Sequence, residues 1–249
     1  MGAIAPRPLT DGEQARADAY ILADLEMMAR AKNYLAWQRD LVAPELGARV
    51  LDVGCGVGNL TGLLHDREAV IAVDKDPECI ARLKLRYGSR SNLVTAVCDA
   101  TAPEFAAMAR YRADSCLCTN ALEHISDDAR ALAGMAEAVV PGGNVVLLVP
   151  AFQALYGPID SNLGHYRRYS RGGLVKLAES AGLRVEKVRY ANLIGLAGWW
   201  ANARLFKRQA QSERQIAFFD RYVVPAMARI ERLAPQPAGQ SLLLVGRRP

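Results

Sequence analysis

The stretch Val50-Leu51-Asp52-Val53-Gly54-Cys55-Gly56-Val57-Gly58 decides the fold. An apolar run typical of a buried strand passes directly into glycines at alternate positions, and an acid stands inside the strand. In an open α/β sheet, ligands bind beyond the carboxyl ends of the strands, and glycines there let a ligand approach the backbone because no Cβ intervenes. A dinucleotide-binding loop would carry its third glycine at position 59, where this chain has Asn59. The stretch therefore predicts a ligand-binding loop of a different kind after the first strand.

Strand-like and helix-like segments alternate downstream of this loop. The further strand-like runs lie at 69–76, 93–100, 115–121, 144–151, 183–191 and 241–247. Such alternation is typical of βαβ units, and parallel strands covered on both faces read as continuous apolar runs. We therefore predict an α/β fold with a doubly wound, mostly parallel seven-stranded sheet. A single long helix is predicted ahead of it over 13–43, because apolar residues recur there at helical spacing without Pro or Gly.

The amino-acid composition disfavours several classes of protein function. The chain has 249 residues, of which 51% are hydrophobic, and a net charge of +5, so intrinsic disorder is excluded. The 31 Lys and Arg residues are spread out rather than gathered in one stripe, which disfavours a nucleic-acid partner. No apolar run approaches the ~18 residues of a spanning helix, and no signal peptide is apparent. Five cysteines, an odd number in mostly apolar segments, fit reduced thiols, so we expect a cytoplasmic protein without a metal site.

Three further motifs follow the glycine loop in order. Acids end the second and third strands at Asp74 and Asp99, and the segment Asn120-Ala-Leu-Glu-His-Ile125 follows the fourth. With the D-x-G-x-G-x-G loop, this arrangement resembles the class I S-adenosylmethionine-dependent methyltransferases over about residues 48–150 and the closing strand. The resemblance implies the Rossmann-like methyltransferase fold, with S-adenosyl-L-methionine as cofactor.

The resemblance also implies how the cofactor is held. Asp52 and the glycine loop would meet its amino-acid end, Asp74 would hold the ribose hydroxyls, and Asp99 would bind the adenine amino group. The segment after the fourth strand would flank the sulfonium. The complete predicted cofactor set is Asp52, Gly54, Cys55, Gly56, Gly58, Asp74, Lys75, Asp99, Ala100, Asn120 and Ala121.

A polar loop over 155–171 (LYGPIDSNLGHYRRYSR) opens on the same edge of the sheet. Arginine binds carboxylate or phosphate with a planar, two-pronged geometry, which favours recognition of an anionic acceptor here. The alternative is that Asp160 pairs with Arg167 or Arg168 and fixes the loop, and the two interpretations are compatible. The predicted substrate-binding set is Tyr20, Tyr34, Tyr156, Tyr166, Arg167 and Arg168. Trp37 is a further aromatic candidate, although core packing is the more common role of such a residue.

The domain organisation follows from the same resemblance. We predict a single domain over 1–249, with a helical N-terminal lid (13–46), a cofactor-binding core (47–150), and a region with the substrate loop, a helical insertion and the last strands (151–249). The apolar segment 193–200, followed by Arg204, Lys207 and Arg208, is predicted to pack internally or to form a homodimer face. An interfacial membrane helix is the less favoured interpretation.

Methyl transfer from a sulfonium needs alignment first and a base only if the acceptor must lose a proton. His124 is the first candidate for that base, because its loop borders the sulfonium, and His165 is the second. We predict O-methylation of a small anionic or hydroxylated metabolite bearing a carboxylate, phosphonate or hydroxyl group. The alternatives are N- or C-methylation of a metabolite or lipid-linked substrate, a nicotinamide-dependent oxidoreductase, an RNA methyltransferase, and a non-catalytic cofactor-binding scaffold.

Overall fold

The computed structural model describes residues 11–200, 212–233 and 236–249, and a sheet of seven strands forms the centre of that part. The strands are β1 (Arg49–Val53), β2 (Ala69–Asp74), β3 (Leu93–Val97), β4 (Ala113–Thr119), β5 (Val139–Pro150), β6 (Arg184–Ala191) and β7 (Ser241–Arg247). Their order is β3-β2-β1-β4-β5-β7-β6, and β7 runs antiparallel to both of its neighbours while the other pairs are parallel. The predicted fold class is confirmed.

The strand order reverses at β1. This strand pairs with β2 on one side and with β4 on the other, with Asp52 opposite Leu117 in the second pair. The loops that leave β1 and β4 therefore diverge to opposite faces and open a crevice between them, which is where open α/β sheets bind ligands.

Helices cover both faces of the sheet. They are α1 (Asp11–Met28), α2 (Lys32–Val42), α3 (Pro77–Tyr87), α4 (Asp128–Ala138), α5 (Pro158–Asn162), α6 (Arg171–Ser180), α7 (Leu193–Trp200), α8 (Glu213–Phe218) and α9 (Val224–Leu233). One core cluster joins the sheet to α4 and α6, and a second joins its other face to α2 and α9. The inner strands β1, β2, β4, β5 and β7 are mostly buried, which explains their apolar runs, whereas the edge strands β3 and β6 are partly exposed.

The prediction of a single helix over 13–43 is wrong in one respect. Two helices form instead, and the chain turns between them at 29–31. The reason lies in packing, because the two segments cover different surfaces. Trp37 and Leu41 of α2 enter the core beneath the sheet, whereas Leu25 of α1 lies against the glycine loop.

Two short features complete the helical part of the structure. A single helical turn, Thr61–Leu63, follows the glycine loop, and its Thr61 hydroxyl donates to the buried Asp52 carboxylate at 2.6 Å. The last helical segment passes from α8 through a wide turn at Phe219–Val223 into α9. Pro225 lies in the first turn of α9, directly after the wide turn, where its missing N–H is tolerated.

Within the described residues, no helix has both the length and the apolar character needed to cross a bilayer. The apolar part of the segment predicted to pack internally, or to lie on a membrane, is α7. The basic residues Arg204, Lys207 and Arg208 of that prediction lie outside the described residues.

Candidate cofactor and acceptor site

The glycine loop after β1 has a backbone that only glycine adopts readily. Gly54 has a φ of +71°, and a Cβ at this position would lie 2.3 Å from the Ala121 side chain. Gly56 follows with a φ of +52°. The amides of Gly54 and Cys55 donate to the Val73 carbonyl at 2.8 and 3.2 Å, so β2 holds the loop in place. Because Gly54 has no side chain, its backbone itself lines the crevice.

Asp74, at the end of β2, is tied to this loop. Its Oδ2 accepts the Gly56 amide at 2.8 Å, and its Oδ1 accepts the Asp76 amide at 3.0 Å. Burial raises the pKa of the Asp74 carboxyl in spite of these two hydrogen bonds. Each oxygen still has lone-pair capacity for a further donor, as the predicted ribose contact requires. Lys75 beside it is exposed.

Asp52 lies inside β1 and is only 3% exposed. Burial raises the pKa of its carboxyl to about 6, although the Thr61 hydroxyl donates to Oδ2 at 2.6 Å and opposes the shift. A cationic ligand group beside Asp52 would restore the ionised form, since an opposite charge nearby lowers the pKa of an acid.

Asp99 lies on the same sheet edge, two residues beyond the end of β3. The Cys98 amide donates to the Asp74 carbonyl at 2.9 Å, which brings the two acids to neighbouring strand ends. Burial pushes the pKa of Asp99 upward, but hydrogen bonds from the Thr101 hydroxyl and amide, both 2.7 Å, outweigh it and hold the pKa below its usual value. Asp99 is exposed and Ala100 is buried beside it.

Asn120 turns the chain at the end of β4. Its φ is +48°, a left-handed conformation that asparagine tolerates better than most residues, and its amide donates to the Leu148 carbonyl at 2.8 Å. The short turn Leu122–His124 follows, so Glu123 and His124 reach the crevice from the fourth strand. The predicted cofactor residues of β1, β2, β3 and β4 thus meet at one edge of the sheet.

A cavity of about 210 Å³ adjoins the loop. Of the residues predicted from sequence, it is lined by Asp52, Gly54, Cys55, Asn120, Tyr34, His124, His165 and Arg168. Helix α1 lies across the loop, where the Asn59 amide group donates to the Leu25 carbonyl at 2.8 Å. Two buried polar atoms in the lining, Thr119 Oγ1 and Glu123 Oε2, have no hydrogen-bond partner among the described residues. Unpaired buried polar atoms are costly, so these two atoms fit a site that a ligand completes.

Glu123, His124 and His165 form a polar cluster in this cavity. Glu123 is 1% exposed, and burial raises the pKa of its carboxyl to about 7. Burial and then the neighbouring His165 lower the pKa of His124 to about 3, so its ring is neutral at physiological pH. The two imidazole rings meet at right angles with centroids 4.6 Å apart. His165 Nδ1 lies 2.9 Å from Asp160 Oδ1.

The same cluster is the one group among the described residues with the composition of a metal site. The possible ligand atoms of Glu123, His124 and His165 all lie within 4.8 Å of one another. A carboxylate and two imidazoles suit divalent transition metals, although Asp160 already uses one nitrogen of His165. The expectation from sequence that the chain binds no metal stays a prediction.

The two arginines of the loop are already paired. Arg168 is 4% exposed, donates to Asp160 Oδ1 at 2.8 Å, and lies over the Trp199 ring at 4.5 Å. Arg167 lies 2.6 Å from Asp128 and also donates to the Ser126 carbonyl. The alternative from sequence, an Asp160–arginine pair that fixes the loop, is therefore present. Arg168 borders the cavity, but its charge is matched.

Of the aromatic residues predicted from sequence, Tyr34 lines the cavity and the other four do not. Burial raises the pKa of the Tyr34 phenol to about 12. Tyr156 instead donates to the His165 carbonyl at 2.6 Å, and Tyr166 is 46% exposed on the outer side of the loop. Tyr20 is partly buried on α1. Trp37 packs in the core and donates to Glu231, so it has the packing role that its residue type favoured.

Two acids of the cavity were missed from sequence. Glu123 stood inside the segment quoted for the family but was not selected, and its environment depends on packing from distant elements. Asp24, on α1, also lines the cavity, and burial raises the pKa of its carboxyl to about 6 against the opposing charge of His165. Nothing in the local pattern distinguishes Asp24 from an ordinary exposed acid on a helix.

The raised pKa of Glu123 predicts a pH-dependent stability. The folded state holds a proton on Glu123 more strongly than the unfolded state does, so stability is greatest below the ordinary value of 4.5 and falls as the pH rises to about 7. Glu123→Gln should remove this loss. Relative to the variant, the native protein should lose about 1–3 kcal/mol of unfolding free energy between pH 5 and pH 8 in denaturant titrations. Parallel pH curves for the two proteins would contradict the burial argument.

This chain is similar to a known protein family and to several named enzymes. A profile described as a methyltransferase domain matches residues 26–188. The ubiquinone biosynthesis O-methyltransferase of Aeromonas salmonicida is 28% identical over 178 residues, which span 64% of this chain and 74% of that relative. Further matches to enzymes of the same name span about two fifths of those relatives.

Solved structures agree on the fold. A chain from the complex between the Haloferax volcanii Trm112 methyltransferase activator and a methyltransferase aligns with a TM-score of 0.64 at 16% identity, covering 97% of this chain and 100% of that chain. The N-methyltransferase NodS of Bradyrhizobium japonicum, solved with S-adenosyl-L-homocysteine, aligns with a TM-score of 0.54 at 16% identity, covering 88% and 87%. Since the family profile matches well over half of the chain, the chain belongs to the methyltransferase-domain family and is an S-adenosylmethionine-dependent methyltransferase.

Proposed function

We propose that the chain transfers the methyl group of S-adenosylmethionine to a hydroxyl oxygen of a small molecule. The observation that carries this proposal is the unpartnered Oε2 of Glu123, a buried carboxyl oxygen beside His165 in the cavity next to Gly54 and Asn120. A hydroxyl group both donates and accepts, so it pairs with this oxygen in either protonation state, and an imidazole beside it can take the proton that O-methylation releases.

The charges around the cavity disfavour an anionic acceptor. Asp24 and Glu123 both have raised pKa values because burial penalises their charged forms, and a further negative group would increase that cost. Arg168, which the sequence predicted would bind an anionic acceptor, already forms an ion pair with Asp160. A neutral hydroxyl therefore fits better than a carboxylate or phosphonate.

The residues around the crevice have different roles in the proposed reaction. Asp52, Asp74 and Asp99 would hold the cofactor through its amino acid, ribose and adenine groups, with the glycine backbone beneath it. The cofactor, when bound, would supply an activated methyl group on its sulfonium. His165 would accept the proton that the acceptor hydroxyl loses on methylation. Asp160 and Glu123, on either side, stabilise the positive charge that this leaves on the imidazole.

His165 is a better base than His124 in this arrangement. The ring of His124 resists protonation because its pKa is lowered to about 3, whereas His165 has a carboxylate on Nδ1. This reverses the order of preference from sequence. The name of the Aeromonas relative, an O-methyltransferase, supports an oxygen acceptor.

The proposal is tested with methyl-labelled cofactor and paired acceptors. Phenols, catechols and aliphatic alcohols are each offered beside the analogue in which an amino group replaces the hydroxyl, and the labelled product is identified by mass spectrometry. We expect label on oxygen and none on the amino analogues. Transfer to nitrogen or carbon alone, or no transfer to any hydroxyl compound, would contradict the proposal.

The environment of Asp52 predicts how cofactor binding depends on pH. If the cofactor's ammonium group lies beside Asp52, it binds the ionised carboxylate, so affinity should fall once the pH drops below about 6. We expect S-adenosylhomocysteine to bind roughly tenfold more weakly at pH 5 than at pH 7.5 in calorimetric titrations. Asp52→Asn should bind weakly with a flatter pH profile. An equally steep profile for that variant would assign the titration to another group.

A further inference from the structure

One buried carboxylate organises the loop between β5 and α6. The Asp160 side chain, on α5, is fully buried. Its Oδ1 contacts His165 Nδ1 at 2.9 Å and Arg168 Nε at 2.8 Å, and its Oδ2 accepts the Gly157 amide at 3.0 Å. Three donors from three positions of the loop therefore converge on a single side chain.

This geometry has a consequence for His165. A neutral imidazole carries its proton on one nitrogen and accepts on the other. An ionised carboxylate on Nδ1 requires the proton there, which leaves Nε2 as the accepting nitrogen. The backbone of His165 is also fixed, because its amide donates to the Asp160 carbonyl at 2.9 Å and its carbonyl accepts the Tyr156 hydroxyl at 2.6 Å.

The hydrogen bond with His165 and the charge of Arg168 together favour the ionised form of the Asp160 carboxylate. Burial alone would raise the pKa of Asp160, but the hydrogen bond from His165 and the charge of Arg168 overcome it and hold the pKa below its usual value. The guanidinium also donates to the Ala151 carbonyl at 3.3 Å and is covered by Trp199. The groups whose charges face His165 from other elements are Asp24 on α1 and Glu123 after β4.

We propose that Asp160 is a positioning residue for methyl transfer, which fixes His165 as the tautomer with its proton on Nδ1 and its Nε2 free to accept. The inference rests on the proposed function in one respect, because that function makes the acceptor hydroxyl the source of the proton that Nε2 receives. The tautomer itself can be observed in the enzyme without any acceptor.

The direct test is nitrogen-15 NMR of the histidine rings at pH 8 in the presence of a chelator. The chain has three histidines, so His65→Gln and His124→Gln assign the spectrum. We expect His165 to show a single tautomer protonated on Nδ1. A His165 protonated on Nε2, or a mixture of both forms in the native enzyme, would overturn the inference.

Variants extend the test to Asp160 itself. Asp160→Ala should turn the single tautomer into a mixture and lower kcat at least tenfold, with unchanged affinity for S-adenosylhomocysteine. If the unpaired Arg168 prevents folding, the double variant Asp160→Ala, Arg168→Met removes both charges. Tyr156→Phe, which loses a loop contact but keeps Asp160, should retain the tautomer. An unaltered tautomer without Asp160 would refute its role.

The two proposals fail in different ways. If native His165 shows the expected tautomer but no hydroxyl compound is methylated, the proposed function is wrong and the positioning of His165 stands. If hydroxyl compounds are methylated while His165 is protonated on Nε2, the proposed function stands and Asp160 does not act through this ring.

Discussion

Asp74→Ala should weaken S-adenosylhomocysteine binding by about 100-fold or more. The substitution removes the carboxylate predicted to accept the two ribose hydroxyls, and hydrogen bonds to a charged group contribute about 1.5–3 kcal/mol each. It also removes the acceptor of the Gly56 amide, so the glycine loop loses one of its hydrogen bonds to β2. Calorimetric titration of the purified variant measures the change directly.

Asp66→Ala is the matched control for this experiment. Asp66 also belongs to the segment around β2, but its side chain is 65% exposed and it lies outside the crevice, so cofactor affinity should not change. Circular dichroism and thermal unfolding of both variants separate lost binding from lost folding. Native affinity in a folded Asp74→Ala protein would show that the ribose is held elsewhere.

His165→Gln should lower kcat by about 100- to 10,000-fold, the usual contribution of a positioned general base. Cofactor affinity should stay within about threefold of native, because the proposed cofactor contacts lie on β1, β2, β3 and β4 rather than on this loop. The measurement is steady-state transfer to a hydroxyl acceptor from the paired panel, with calorimetry for cofactor binding.

The same substitution at His124 provides the comparison. His124→Gln should reduce kcat far less, since a ring whose pKa is lowered to about 3 does not collect a proton at neutral pH. Equal losses for the two variants would mean that the cluster works as a unit. A larger loss at His124 would restore the order of preference that sequence analysis favoured.

Much of the fold was predictable because its signals are local. Each buried strand is a continuous apolar run, and the glycines after β1 sit where their backbone conformation requires them. The break between α1 and α2 was not predictable in the same way. Ala29, Arg30 and Ala31 suit a helix, and the chain turns there only because the two flanking segments pack against different surfaces.

The candidate site likewise contains residues that the sequence could predict and residues that it could not. Asp52, Asp74 and Asp99 could be selected because each lies in or just after a strand near the ligand-binding edge and matches a motif of the family. Glu123 and Asp24 could not, since what distinguishes them is burial beside side chains that are far away in sequence. For Arg168, sequence supplied both the anion-binding interpretation and the pairing with Asp160, and only the three-dimensional structure brings the two side chains to 2.8 Å.

A crystal structure of the enzyme with S-adenosylhomocysteine decides whether the crevice holds the cofactor as proposed. We expect ribose hydroxyls within hydrogen-bonding distance of Asp74, the amino group beside Asp52, and the sulfur facing the cavity that contains Glu123 and His165. A ligand whose sulfur points away from that cavity, or whose ribose makes no contact with Asp74, would contradict this arrangement.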